Sequence, residues 1–394
     1  ALEVADDDPA KVHVAGVNHW VSTDSGKTFT CPSKWSHSGK VNYVHADIHD
    51  IRAYGDDLWF ACDGGIFYTN DGGDTIDRRM YGIAGTDFWG FGAGYGPDNG
   101  NVMVGGTYHN GTLLKDGNVY TNDWLSCEGG DNYRGFVNFK DDRKVVTVYS
   151  GRVLSGDRTV SWTSFNFSKK PNASYTIGQS SDIEPDPRCW NIAYSGVDTV
   201  LWKTTDYGST WEMVHDFDGN VTSIEVSWAN PDVMYVATWP GWWDTKRIYR
   251  TTDGGANWTD ITPTSGELNG NTWVPYDITV DAEDENTLWI CRSSMYSGTN
   301  LNGYQVFKST DGGNTWINYA GPTMDGEVPV NIEHHRGSDG GVYVGTRRAV
   351  YYRNNSMGDW VLYNTDLPVS TLSIQLVPYY LSLIHISEPT RRAI

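Results

Sequence analysis

The chain has 394 residues, including 44 Gly, 18 Trp and 24 Tyr, and a formal net charge of −20. A surface this acidic repels polyanions, which argues against nucleic acid and anionic membrane as partners. No apolar run reaches bilayer-spanning length, so no membrane insertion is expected. Nor does any segment sustain helical periodicity. Abundant aromatics and Gly/Asn/Asp turns indicate short strands, an all-β chain.

Taken in order, the chain repeats one pattern, Ser/Thr-x-Asp-x-Gly-x-Thr-Trp, with substitutions. Copies run from Ser22 to Phe29, Thr69 to Ile76, Thr204 to Trp211, Thr251 to Trp258 and Ser309 to Trp316. Their acids are Asp24, Asp71, Asp206, Asp253 and Asp311, at intervals of 47, 135, 47 and 58. Each copy reads as a tight β-hairpin, an Asp-box, in which the carboxylate accepts turn N–H groups and Gly supplies positive φ. The long interval holds two worn copies, Lys115 to Asn118 and Ser155 to Asp157, and a last one runs from Asn355 to Trp360. Eight units of 40 to 50 residues predict a β-propeller of seven or eight four-stranded blades over residues 1–380.

Leu2-Glu3-Val4 opens inside a blade, and residues 381–394 resemble a translated sequencing adapter, so the expectation is a propeller cut at both ends with a non-native tail. The five cysteines, Cys31, Cys62, Cys127, Cys189 and Cys291, are odd in number and lack metal-ligand spacing; they read as small buried hydrophobes.

Strand parity places the hairpins and the turns between first and second strands on one face, and leaves the variable loops on the other, where function is expected. In the first half those loops carry Trp35, His37, Asp63, Arg78, Tyr81, His109, Asn110, Asp131 and Arg134. Alternation over Tyr43 to Asp50 puts His45, Asp47 and His49 on one side of an inner strand. In the second half the loops are aromatic: Trp239, Trp242, Trp243, Trp273 and Tyr276 form a surface suited to stacking sugar rings.

Three readings of the first-half cluster stand open. His45, Asp47, His49 and His109 could bind metal, although alternate residues on a strand lie about 7 Å apart. Asp47, Asp63 and Asp131 could be the acid and base of a glycosidase. The same groups could form a hydrogen-bonded plug in the channel wall. A sialidase needs an Arg triad, and the Arg residues do not fall at matching blade positions. No cofactor is expected.

The hairpins, together with Val44-His45-Ala46-Asp47-Ile48-His49-Asp50, Cys62-Asp63-Gly64-Gly65-Ile66, Gly105-Gly106-Thr107-Tyr108-His109-Asn110-Gly111-Thr112 and Gly129-Gly130-Asp131, resemble the BNR-repeat propellers of large secreted Bacteroidota proteins. These are similar to sortilin-type and xyloglucanase-type propellers. Where the family usually shows Gly-Thr-Gln-Asp-Asn-Gly, this chain has His109 in place of the Asp. The resemblance implies export, commonly through the type IX system, to the cell surface or beyond. The expectation is a propeller that binds extracellular glycan or peptide, with hydrolysis of a β-glucan such as xyloglucan as the alternative.

Overall fold

The structure, a computed structural model, describes residues 1–82, 88–94, 102–107, 110–116, 124–128, 135–137, 144–146, 151–154, 162–165, 181, 183–189, 191–206, 210–241, 246–262, 276–292, 305–365, 367 and 375–377. They form eight four-stranded antiparallel sheets, each a meander in chain order, which is the blade of a β-propeller. Two sheets belong to one compact unit, Ala1–Asp87, and six to a second, Phe88–Ile394.

The blades form because the repeat encodes both their ends. In all five full hairpins the Ser or Thr hydroxyl donates to the Asp carboxylate at 2.6–2.9 Å. The residue four past the Asp donates to the same carboxylate twice, through its backbone N–H at 2.7–3.0 Å and its side chain at 2.6–2.7 Å. These charge-assisted bonds hold Asp24 and Asp253 near pKa 2, chiefly through Thr28 and Asn257, and keep Asp71 and Asp311 low as well. The turn needs left-handed backbone, which Gly72 and Gly73 supply at φ 72° and 102°; the first copy uses Ser25 at φ 60° instead.

Three of the hairpins are also seen to grip the turn between the first two strands of their own blade. Gly72 N–H donates to Asp56 O, Gly254 to Asp232 O and Gly312 to Asn286 O, at 2.9–3.1 Å. The two turns therefore share a face, as strand parity requires. The worn copy at Asn355–Trp360 differs: Asp359 accepts from the N–H and hydroxyl of Thr323, outside its own hairpin.

The core lies between sheets. In the second unit, Tyr235, Ala237 and Ile248 of one blade pack against Ile278, Val280, Leu288 and Ile290 of the next. In the first unit, Ala15 packs with Ile51, Leu58 and Phe60. This interface also buries His13 and His19, both fully inaccessible. Their rings stack with centroids 5.3 Å apart, His13 Nδ1 lies 3.0 Å from His19 Nε2, and His19 meets Phe60 edge-on. His13 Nε2 and His19 Nδ1 have no hydrogen-bond partner. Burial lowers His13 to about 4, helped by Lys11, and His19 to about 3, helped by His13.

Cys291 is buried, and Cys31, Cys62 and Cys189 are half-buried free thiols. Burial pushes the Cys62 thiol up to about 11. Cys127 lies in strand Leu125–Glu128, its side chain outside the described set.

The histidine pair gives the first unit a pH dependence of fixed sign. Folded pKa values below the unfolded value of about 6.5 mean that the unfolded chain binds more protons. The stability is present above about pH 6.5 and is lost as the pH falls toward 4 and then 3. Hydrogen exchange at the amides of residues 12–22 should accelerate between pH 7 and pH 4.5, after correction for intrinsic rates, and His19→Phe should flatten that profile. An unchanged profile in the variant would show that the pair is not responsible.

Candidate functional site

The expected strand through His45, Asp47 and His49 does not form. The inner strand is Ile48–Tyr54, and Asp47 sits before it at φ 57°, a left-handed conformation that breaks the alternation. The three side chains are therefore not aligned on one strand face. Instead His45 packs on the turn after strand Asp57–Cys62: a Cβ on Gly64 would lie 2.4 Å from His45 Cβ, so only glycine fits there. His45 Nδ1 lies 3.1 Å from Ala46 O. His49, exposed, contacts Asp63 with Nε2 2.6 Å from Oδ1. This His–carboxylate pair is the chemistry that the first unit retains from the expected cluster. Among the described residues, no three His, Cys, Asp or Glu side chains group closely enough to hold a metal ion.

Other expected site residues are placed as follows. Asn110 is exposed, immediately before strand Gly111–Asp116. His109, Asp131, Arg134, Trp242, Trp243 and Trp273 lie outside the described residues. Tyr276, expected in a crossover, opens the inner strand Tyr276–Val280. Likewise the crossover expected from Cys31 to Asn42 starts later, because Cys31 lies in the outer strand Thr30–Lys34, which Trp35 and His37 follow. Trp239 is half-buried; its indole N–H donates to Gly241 O at 2.7 Å, and Lys246 Nζ donates to the same carbonyl. Both groups fasten the base of the aromatic loop.

The second unit contains a site that the motif reading missed. One cavity of about 190 Å³ is walled by the first strands of all six of its sheets: Phe88–Ala93, Phe136–Val137, Ile183–Pro185, Asn220–Val226, Tyr276–Val280 and Pro329–His335. Glu184, Glu225, Asp277 and Glu333 line it, as do Trp89, Trp228 and Arg336. The Arg336 guanidinium lies 3.7 Å from the Trp228 ring centroid, a cation–π stack.

The wall's polarity has a structural cause. Each first strand pairs with a second strand on one edge only, and side chains of the adjacent first strand supply acceptors to the other edge. Ile278 N–H donates to Ser223 Oγ at 3.3 Å, Ile332 N–H to Asp277 Oδ2 at 2.9 Å and His334 N–H to Thr279 Oγ1 at 2.9 Å. The Glu225 carboxyl accepts from Val280 N–H. Burial nevertheless raises the Glu225 pKa well above the ordinary carboxylate range, with the Glu184 charge as the second cause; the Val280 bond and Arg336 oppose them. Glu184 and Glu225 are thus an electrostatically linked pair in which one carboxyl is biased toward the neutral form, as an acid–base pair requires.

A spacing signal for this wall was present in the sequence. Ser223-Ile224-Glu225, Asp277-Ile278-Thr279 and Asn331-Ile332-Glu333 are in step at 54 residues, a period more regular than that of the hairpins.

No protein-family model matches the chain. It is 24% identical over 226 residues to a xyloglucanase of Paenibacillus sp, covering 54% of this chain and 18% of that protein. It is 27% identical over 188 residues to a xyloglucanase of Hypocrea jecorina (strain QM6a), covering 43% and 21%. The chain thus matches about a fifth of the length of these curated relatives. Among solved structures, an ancestral GH74 enzyme is similar over 92% of this chain and 45% of its own, with 14% identity and a TM-score of 0.40. YCF48 from Cyanidioschyzon merolae is similar over 87% and 90%, with 12% identity and a TM-score of 0.34.

The acceptor role of Asp277 separates structure from chemistry. Asp277→Ala orphans the Ile332 N–H and should cost the second unit about 1–3 kcal/mol in denaturant unfolding. Asp277→Asn keeps an acceptor and should cost less. Equal losses in the two variants would deny Asp277 that role.

Proposed function

We propose that this chain is an extracellular propeller that binds a neutral glycan in the channel of its second unit. The observation that carries this reading is the combination, on one cavity wall, of the aromatic side chains Trp89 and Trp228 with the carboxylates of Glu184, Glu225, Asp277 and Glu333. Sugar C–H faces stack on aromatic rings, while carboxylates accept hydroxyl hydrogens. The similarity to two xyloglucanases makes a β-glucan the first ligand to test. Residues Trp239, Trp242, Trp243, Trp273 and Tyr276 could extend the contact along a chain longer than the cavity. The export route, type IX in this reading, rests on the resemblance to BNR-repeat proteins. A peptide ligand remains the other binding outcome.

Hydrolysis is the second reading, favoured by the raised pKa of Glu225 beside Glu184. In it Glu225 is the general acid and Glu184 the base or nucleophile.

A polysaccharide panel that includes xyloglucan decides among these. Calorimetry should show binding that persists in 0.5 M salt, where the screening length is about 4 Å, with Trp228→Ala weakening it about tenfold or more. Chromatography of the same mixtures should show no released oligosaccharide. Release abolished by Glu225→Gln would establish the hydrolase. Binding only to basic peptides, lost in 0.5 M salt, would overturn the glycan reading.

A further inference from the structure

The cavity has one lining element that belongs to none of the eight sheets. Gln375, Leu376 and Val377 line it, and Gln375 Oε1 accepts the N–H of Phe91 at 2.7 Å, although the two residues are 284 apart in sequence. We propose that Gln375–Val377 is part of the innermost strand of a further blade, a seventh inner strand that closes the wall beside Phe88–Ala93.

Sequence register and hydrogen bonding support this independently. Ser373-Ile374-Gln375-Leu376 repeats the inner-strand pattern of Ser223-Ile224-Glu225-Val226, Asp277-Ile278-Thr279-Val280 and Asn331-Ile332-Glu333-His334. In that alignment Gln375 takes the third position. At the same position Glu225 accepts the N–H of Val280, and Thr279 accepts that of His334, each from the adjoining inner strand. Gln375 does the same for Phe91. A tail lodged by chance in a cavity has no reason to present the acceptor at the residue that the repeat assigns to it.

The assignment also accounts for the edge of Phe88–Ala93. That strand pairs with Val102–Thr107 on one side only. Its other edge would leave the Phe91 N–H without an acceptor inside the wall, and a buried N–H in that state is rare. Gln375 supplies the acceptor through a neutral amide. The closing strand thus adds no charge to a wall that already carries four carboxylates.

The test is amide exchange in the full chain. Gln375→Ala should accelerate exchange at Phe91 about tenfold or more while Ile332 and His334 keep their protection, and Gln375→Glu, which installs the acceptor found at Glu225, should restore it at pH 7. A chain ending at residue 370 should also lose thermal stability in its second unit. Unchanged exchange at Phe91 in Gln375→Ala overturns the proposal. So does a chain ending at residue 370 that keeps its unfolding midpoint and binds a synthetic peptide of residues 371–377 in the vacated cavity, because the segment is then a bound tail. If the shortened chain does not fold, the two substitutions decide. Neither readout depends on glycan binding, so the two proposals fail separately.

Discussion

The constraint on which the second unit depends is the unshared edge of each inner strand. A four-stranded meander satisfies its own backbone, except along the outer edges of its first and last strands. The first strands line a cavity, where an N–H group without an acceptor costs about 1–3 kcal/mol. Ser223, Glu225, Asp277 and Thr279 meet that demand from the neighbouring strand. Polar side chains in the channel are therefore a requirement of the fold before they are a property of a site. Any chemistry at the wall uses groups that already have a structural task.

What was legible in the sequence follows from how local each feature is. The five hairpins are closed by bonds between residues two and four apart, so the motif contains its own geometry and its recurrence counts the blades. The turn-to-hairpin contact was legible through parity, because it joins elements of one meander. The inner wall was not legible from hairpins, since its bonds join residues 55 apart, as in Asp277 and Ile332. Its signal was the 54-residue step of the inner strands.

The failed element is equally instructive. Tyr43 to Asp50 alternates well enough to read as a strand, but alternation says nothing about the φ of one residue. Asp is among the few residue types that visit left-handed backbone with modest strain, and Asp47 does so at the point where the chain enters the blade. The strand then begins at Ile48. His13 and His19 escaped notice for a different reason: on strands Val12–Ala15 and Asn18–Ser22 they occupy positions that face the neighbouring blade, where an apolar residue is the ordinary choice. Their burial in the neutral form lets two polar rings fill an apolar interface.

The charge of the wall narrows what the cavity can hold. Four carboxylates converge on it, and the nearby Arg336 guanidinium is stacked on Trp228. Burial, and then repulsion from Glu184, push Glu225 toward its neutral form, which relieves the cluster without any ligand. The raised pKa is therefore accounted for by the wall itself and does not require catalysis. An anionic sugar would meet the remaining charges at short range in a medium that screens poorly. Neutral hydroxyls, by contrast, can donate to carboxylates while ring faces rest on Trp89 or Trp228. On the proposed glycan reading, the charge of the wall favours uncharged polyols over acidic glycans.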